Sequence, residues 1–224
     1  MLLFVTYHLM QILFVQAFVV RSDAMAPALT AGDRVLAAPM SYGPRLPAFG
    51  YRLPGLSQPR RGDIVLVEPP YYERPGVLRS LLDPLLRFFS AQRLSLTRDP
   101  EDVWRSPLVV KRVLGLPGDR IRFELDRAYL LPRGKQPVFG FRSEHAIAER
   151  EYELRFEQRN ELLEPDSPFA GSIDEIELGE DEFFVVGDNR PRSLDSRHWG
   201  AVPFAALRGR LVLRYFPPGD RGRL

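Results

Sequence analysis

Short apolar blocks and strict alternation of apolar with polar positions dominate this chain, and both are strand patterns. Arg34 to Ala37, Ile64 to Val67, Leu108 to Leu114, Arg120 to Glu124, Tyr129 to Leu131, Phe183 to Val186 and Leu211 to Phe216 each read as a strand, set off by glycine, proline and aspartate. In Arg120 to Glu124, Ile121 and Phe123 alternate with charged residues, so one face of that strand is expected in a core.

Two segments break the rhythm. Residues 1–20 carry no charge; as a helix rising about 1.5 Å per residue they would cover about 30 Å, one bilayer core. A membrane-anchor helix over residues 1–21 is therefore expected, retained rather than cleaved because no basic residue precedes Arg21, although Thr6, His8, Gln11 and Gln16 interrupt its surface. From Val77 to Phe89, Leu78, Leu81, Leu82, Leu85 and Phe89 recur at helical spacing around Pro84. That predicts a helix kinked or started at the proline, lying on a membrane surface or against its own domain. Residues 22–224 are expected to form one mostly β domain with loop insertions near 39–60, 71–106 and 143–180.

With 224 residues, 45% of them apolar, the chain can build a real core, which excludes a disordered or fibrous protein. The net charge of +2 is too small to suggest nucleic-acid binding. It conceals a split: residues 143–182 hold 14 Asp or Glu against 3 Arg. This stretch predicts a solvated helix or ribbon with a loop, and it leaves a basic remainder suited to anionic lipid. Cysteine is absent, which excludes disulfides, thiolate metal sites and cysteine nucleophiles. His8, His145 and His198 stand in no ligand spacing and no phosphate loop or dinucleotide fingerprint occurs, so no metal or cofactor is expected.

Of the 31 basic residues all but Lys111 and Lys135 are arginine. Lys135 sits in a turn-like stretch where a solvated lysine needs no special reason. Lys111 follows the apolar run Leu108-Val109-Val110, where an ammonium group loses water and its pKa falls. A neutral amine can act as a base, and a guanidinium cannot.

Three separated motifs carry a family resemblance. They are Ser22-Asp23-Ala24-Met25-Ala26-Pro27-Ala28-Leu29 with Gly32-Asp33; Arg61-Gly62-Asp63 with Val110-Lys111-Arg112-Val113-Leu114-Gly115-Leu116-Pro117-Gly118-Asp119; and Gly187-Asp188-Asn189-Arg190 with Ser193, Asp195-Ser196-Arg197 and Trp199-Gly200. In this order, behind an apolar segment, they resemble the type I signal peptidases, membrane-bound serine endopeptidases that remove leader peptides from exported proteins. The resemblance implies twisted antiparallel sheets around a cleft and an N-terminal transmembrane or interfacial helix. It places a single-pass protein in the cytoplasmic membrane with the β domain on the outer face, and it names preprotein leaders and membrane lipid as partners, with no nucleic acid. It also implies a Ser/Lys dyad in which a neutral lysine takes the proton of an attacking serine. Lys111 matches the base. Ser193 matches the residue that orients the lysine amine, Ser22 the oxyanion contributor, and Asp195 with Arg197 a structural ion pair. Asp188, Asn189 and Arg190 match residues that order the same turn. Met25, Leu29, Val109 and Val110 are the candidates for shallow pockets that accept small residues before the cleavage point.

At the nucleophile's position the chain has Ala24, and a methyl group cannot form an acyl-enzyme. The neighbouring glycine of the family pattern is Asp23 and its threonine is Ala28. A carboxylate at position 23 is expected to favour protonated Lys111 if the two groups are close. Three readings stay open: a natural non-cleaving relative that keeps the cleft, a chain whose serine was replaced by alanine, and catalysis through another hydroxyl, for which Ser22 is the near candidate. A non-catalytic membrane-bound binding or scaffold protein of the export pathway is the alternative from another functional class.

Overall fold

The computed structural model describes residues 13–44, 51–72, 82–83, 85–86, 107–124, 127–134, 141–147, 152–154 and 173–224. Its strands are β1 (Gln16–Val19), β2 (Arg34–Ala38), β3 (Ile64–Val67), β4 (Val109–Gly115), β5 (Arg120–Glu124), β6 (Arg127–Leu131), β7 (Arg142–Ser143), β8 (Ile173–Glu177), β9 (Glu182–Val186), β10 (Val202–Pro203), β11 (Leu207–Phe216) and β12 (Gly222–Arg223). They form two antiparallel sheets. The larger is ordered β1, β2, β11, β3, β4, β9, β10 with β12 paired to β11, and the smaller β7, β6, β5, β8. Two single-turn helices, α1 (Glu144–Ile147) and α2 (Ser196–Trp199), complete the regular structure that bears on the site.

Why β3 lies mid-sheet is legible in its side chains. All four are apolar, and all four are buried, as a strand covered on both faces requires. Ile64 and Leu66 enter one core with Met25, Leu29, Val35, Val110 and Leu211. Val65 and Val67 point the other way, into a second core with Tyr42, Val113, Phe183, Val185 and Leu207. A third core, holding Leu114, Ile121, Phe123, Leu130, Phe184 and Val186, joins the smaller sheet to β4 and β9. Ile121 and Phe123 take the inward face of β5 that their alternation predicts.

The N-terminal segment differs from expectation. Gln16–Val19 is an edge strand paired with β2, from Gln16 opposite Ala37 to Val19 opposite Arg34, so the helix expected across residues 1–21 does not continue to Arg21. Phe18 packs against the first core while Val19 is exposed. An alternating aromatic and β-branched stretch gains more there by extending a sheet than by staying helical. The start of the expected anchor, residues 1–12, lies outside the described residues, and among those described no helix is long and apolar enough to cross a membrane. Of the helix expected at 77–89, Leu82, Asp83, Leu85 and Leu86 are described and helical; the rest lies outside. The acidic stretch is not simply solvated: it supplies β8, hydrogen-bonded to β5, and the buried Glu144.

Leu66, wholly buried at the centre of the larger sheet, tests this arrangement. Leu66→Ala is expected to lower stability by about 2–5 kcal/mol, while Leu56→Ala, at a side chain 79% exposed, stays within about 0.5 kcal/mol of the parent. Urea denaturation of both variants is the measurement; equal effects would contradict the placement of β3.

Candidate active site

The site grows from the middle of β4. Lys111 stands opposite Val65 in the register of β3 and β4, so strand alternation turns its side chain toward the second core. The residue is only 3% exposed. Its Nζ donates to Ser193 Oγ at 2.8 Å and lies 6.0 Å from the centroid of the Trp199 ring, against which the Tyr71 ring packs. Burial pushes the amine down from 10.5 to about 8; Asp195 and Asp188 pull it back up in part, and Arg197 adds to the fall. A desolvated ammonium loses hydration that one hydroxyl does not replace, so the neutral form gains ground.

Ser193 is held by the turn that follows β9. The hub of that turn is Asp195, fully buried. Its Oδ2 accepts from the Gly187 backbone N–H at 2.9 Å, which ties the end of β9 to the turn. Arg197 grips both its oxygens, Nε to Oδ1 at 2.9 Å and Nη2 to Oδ2 at 3.0 Å. The same Nη2 donates to the carbonyl of Arg190 at 2.6 Å. Asp195 also caps α2, accepting from the Arg197 backbone N–H. Burial alone would raise this carboxyl, but Arg197, with Lys111 and a hydrogen bond from Ser193, outweighs it and holds the group at about 2. The Ser193 hydroxyl donates a hydrogen bond to Asp195 and accepts one from Lys111, which fixes where the amine points.

The third component comes from the opposite end of the chain. A single 3-10 turn, Asp23–Met25, packs against β4 and against the turn at Arg190–Arg192. The carbonyl of Ala24 accepts from the Asn189 backbone N–H at 3.0 Å, and the carbonyl of Asp23 from Asn189 Nδ2 at 3.0 Å. Gly187 makes this approach possible. A Cβ there would lie 2.2 Å from Ser193 Oγ and 2.5 Å from the Ala24 carbonyl oxygen, so the hydroxyl that holds Lys111 and the backbone of Ala24 converge on one point. Asp23 departs from expectation. Its Oδ1 accepts from the Ala31 backbone N–H at 2.9 Å, and the charges acting on Lys111 are Asp195, Arg197 and Asp188. Ser22 precedes the turn in extended conformation, exposed and with no side-chain cap hydrogen bond.

The apolar candidates are divided. Met25, Leu29 and Val110 share the first core, and Val109 packs at the second. Among the described residues no group of three or more His, Asp or Glu is placed to hold a metal.

Sequence reasoning missed Glu144 and Tyr152, which meet two arginines of the motifs. Arg112, next to Lys111, forms a two-point pair with Asp188 at 2.7 and 2.5 Å, and its guanidinium lies 4.2 Å from the centroid of the Tyr152 ring. Arg190 is paired with both oxygens of Glu144, at 2.8 and 2.7 Å. Tyr152 and Glu144 come from the acidic stretch, where composition gave no sign that any side chain turns inward. The three arginines of this region thus each have a carboxylate, and Lys111 has a hydroxyl.

Comparison with known proteins follows from this geometry. The family profile described as "Signal peptidase, peptidase S26" matches residues 1–216. The signal peptidase I of Pseudomonas fluorescens is 27% identical over 196 residues, covering 83% of this chain and 55% of the relative. The probable signal peptidase I-2 of Synechocystis is 26% identical over 202 residues, covering 90% and 63%. The chain therefore spans a little over half the length of these relatives. The crystal structure of a signal peptidase I from Enterococcus faecalis aligns with 70% of this chain and all of its own at 20% identity and a TM-score of 0.35, so kinship rests on the sequence matches.

Two predictions follow from the buried charges and the close approach at Gly187. Lys111 has a folded-state pKa of about 8 against 10.5 when solvated, so the unfolded chain binds more protons between those values. Stability is expected to rise with pH across that window by about 3 kcal/mol. Asp195, held at about 2 against 3.8, contributes about 2 kcal/mol that is fully present above 3.8 and lost as pH falls toward 2. Urea titrations on both sides of each window, beside Lys111→Met and Asp195→Asn, should show each slope vanish in its own variant. Gly187→Ala is expected to cost about 1–3 kcal/mol by overpacking and to return the Lys111 amine toward its solvated titration, read by pH-dependent amine labelling; an unchanged titration would refute the close approach.

Proposed function

The chain belongs to the signal peptidase family, peptidase S26, and on that premise we propose that it engages the leader peptides of exported proteins at a Ser/Lys-type site whose serine position is the methyl of Ala24, holding a leader without cleaving it. The observation that carries this reading is the Lys111 amine, buried, directed by Ser193 at 2.8 Å and depressed to about 8. Beside it, Ala24 is fastened to the same turn through Asn189. Lys111 is the general base of the family reaction, Ser193 its orienting residue, Ser22 the oxyanion contributor, and Asp195 with Arg197 the clamp beneath.

A peptide has somewhere to lie. The pairing of β9 with β4 begins at Arg112, whereas β3 pairs with β4 from Val109 onward. Val109, Val110 and Lys111 are thus laddered on one side, and an extended leader laid along the other side would bring its backbone past the amine. Val109, half-buried, borders this path, and the preference for small residues before the cleavage point is carried over from the family resemblance. Residues 1–12 carry no charge in the sequence, and shortly after them Phe14, Val15 and, in β1, Val19 are exposed. That supports attachment to the cytoplasmic membrane with the β domain on the outer face, where leaders emerge.

Ala24→Ser tests the reading. The parent chain in detergent is expected to bind a synthetic leader, followed by fluorescence anisotropy, and to leave a preprotein intact. Ala24→Ser is expected to cleave the preprotein after small residues, at a rate that climbs with pH through about 8 as Lys111 loses its proton. Adding Lys111→Met should remove that activity by ~10⁴-fold or more, since the members of a catalytic unit fail together. A folded Ala24→Ser protein that binds the leader yet never cuts it would sink the proposal.

A further inference from the structure

Arg190 is wholly buried, with no exposed side-chain surface, and it occupies the turn that carries both the Asn189 contact to Ala24 and Ser193. A buried guanidinium is tolerable only with a counter-charge and with its N–H groups engaged. Its Nη2 bonds both oxygens of Glu144. Its Nε and Nη1 make no hydrogen bond, and the face of Phe123 lies 6.0 Å from it. Among the described residues, Glu144 therefore supplies the hydrogen-bonded counter-charge of the Arg190 side chain. Asp188 and Asp195, the other buried carboxylates of this region, are already committed to Arg112 and Arg197.

Glu144 is not part of the sequence motifs. It starts α1, directly after β7, in the smaller sheet, and is itself buried. It is thus the point at which the acidic insertion grips the turn of the larger sheet. Tyr152 makes a parallel contact on the neighbouring arginine, its ring under Arg112 and its Cε1 the atom nearest to where a Cβ on Gly62 would stand.

We propose that Glu144 is a positioning residue: by neutralising Arg190 it fixes the Asn189–Ser193 turn, and through Ser193 it fixes the Lys111 amine. The chain of contacts is short and continuous. Glu144 holds the Arg190 side chain; the Arg190 carbonyl accepts from Arg197; Arg197 holds Asp195; and Ser193, between them in sequence, meets Lys111. This goes beyond the reading of the chain as a leader-binding protein, because it concerns the placement of the amine whether or not any peptide is bound or cut.

The test reads Lys111 by competitive amine labelling across pH, with Lys135, the chain's other lysine, as internal reference. The groups that face Lys111 are Ser193, Asp195 and Arg197 from the turn, Asp188 at the end of β9, and the Trp199 ring, and all are left unaltered. Glu144→Gln leaves Arg190 charged and alone, so it is paired with Glu144→Gln/Arg190→Met, which removes both charges and keeps the local balance. In the double variant the labelling midpoint is expected to rise from about 8 by on the order of one pH unit, as the amine loses its fixed partner and regains water. Glu144→Asp, which keeps the carboxylate, should hold the midpoint near the parent's. A purely structural role would lower the melting temperature of the double variant and leave the midpoint where it is. A folded double variant whose midpoint superposes on the parent's overturns the proposal.

Discussion

A lysine without a carboxylate of its own sets the terms for the rest of this structure. Four cationic side chains converge behind the Asp23–Met25 turn: Lys111, Arg112, Arg190 and Arg197. Three carboxylates meet them, Asp188, Glu144 and Asp195, and each is taken by an arginine through paired hydrogen bonds. A guanidinium outcompetes an ammonium for a carboxylate when the geometry allows two parallel bonds, so Lys111 receives the Ser193 hydroxyl and the face of Trp199 instead. Burial holds the amine down at about 8, and because its neighbours spend their charge on one another, the carboxylates restore it only in part. Its place on β4, opposite Val65 of β3 and facing the second core, is what denies it water.

That constraint explains why the ends of the chain meet. Lys111 is fixed by its strand, but the residues that direct it lie on a loop after β9 and on a single turn before β2, neither of which has a fold of its own. The turn after β9 is held by buried ion pairs and by the capping of α2, and the Asp23–Met25 turn is stitched to it through Asn189. Gly187 lets the two approach so closely that no side chain fits between them. Ion pairs of this kind add little net stability, since desolvation consumes most of the Coulombic gain. Their contribution is directional: each allows one arrangement of the turn and penalises the others.

Much of this was readable from residue order. The strands at Ile64–Val67 and Glu182–Val186 are marked by apolar runs, and β5 by its alternation. Lys111 was marked by being one of two lysines in a chain of arginines, after an apolar run. What could not be read was anything that depends on where a polar side chain points. Asp23 looks like a charge beside the amine until the Ala31 N–H captures it. Glu144 looks like one more acid in an acidic stretch until the smaller sheet turns it inward against Arg190. Gln16–Val19 looks helical when read with the apolar residues before it, and becomes a strand because β2 offers an unpaired edge. In each case a tertiary partner outweighed a local preference.

The same geometry bears on whether another hydroxyl replaces the absent serine. Ser193 is the hydroxyl bonded to Lys111, yet it is only 5% exposed, it donates its proton toward Asp195, and it lies under Gly187, where the Ala24 carbonyl closes over it. An attacking oxygen needs a free approach to a carbonyl carbon, and this one is enclosed, accepting from the amine and donating a hydrogen bond to a carboxylate. Ser22 has the opposite defect. It is exposed and precedes the turn in extended conformation, with no side-chain hydrogen bond to the turn. Of the two hydroxyls, the one bonded to the amine is enclosed and the one in the open makes no bond to the turn; neither combines contact with Lys111 and the access an attacking oxygen needs.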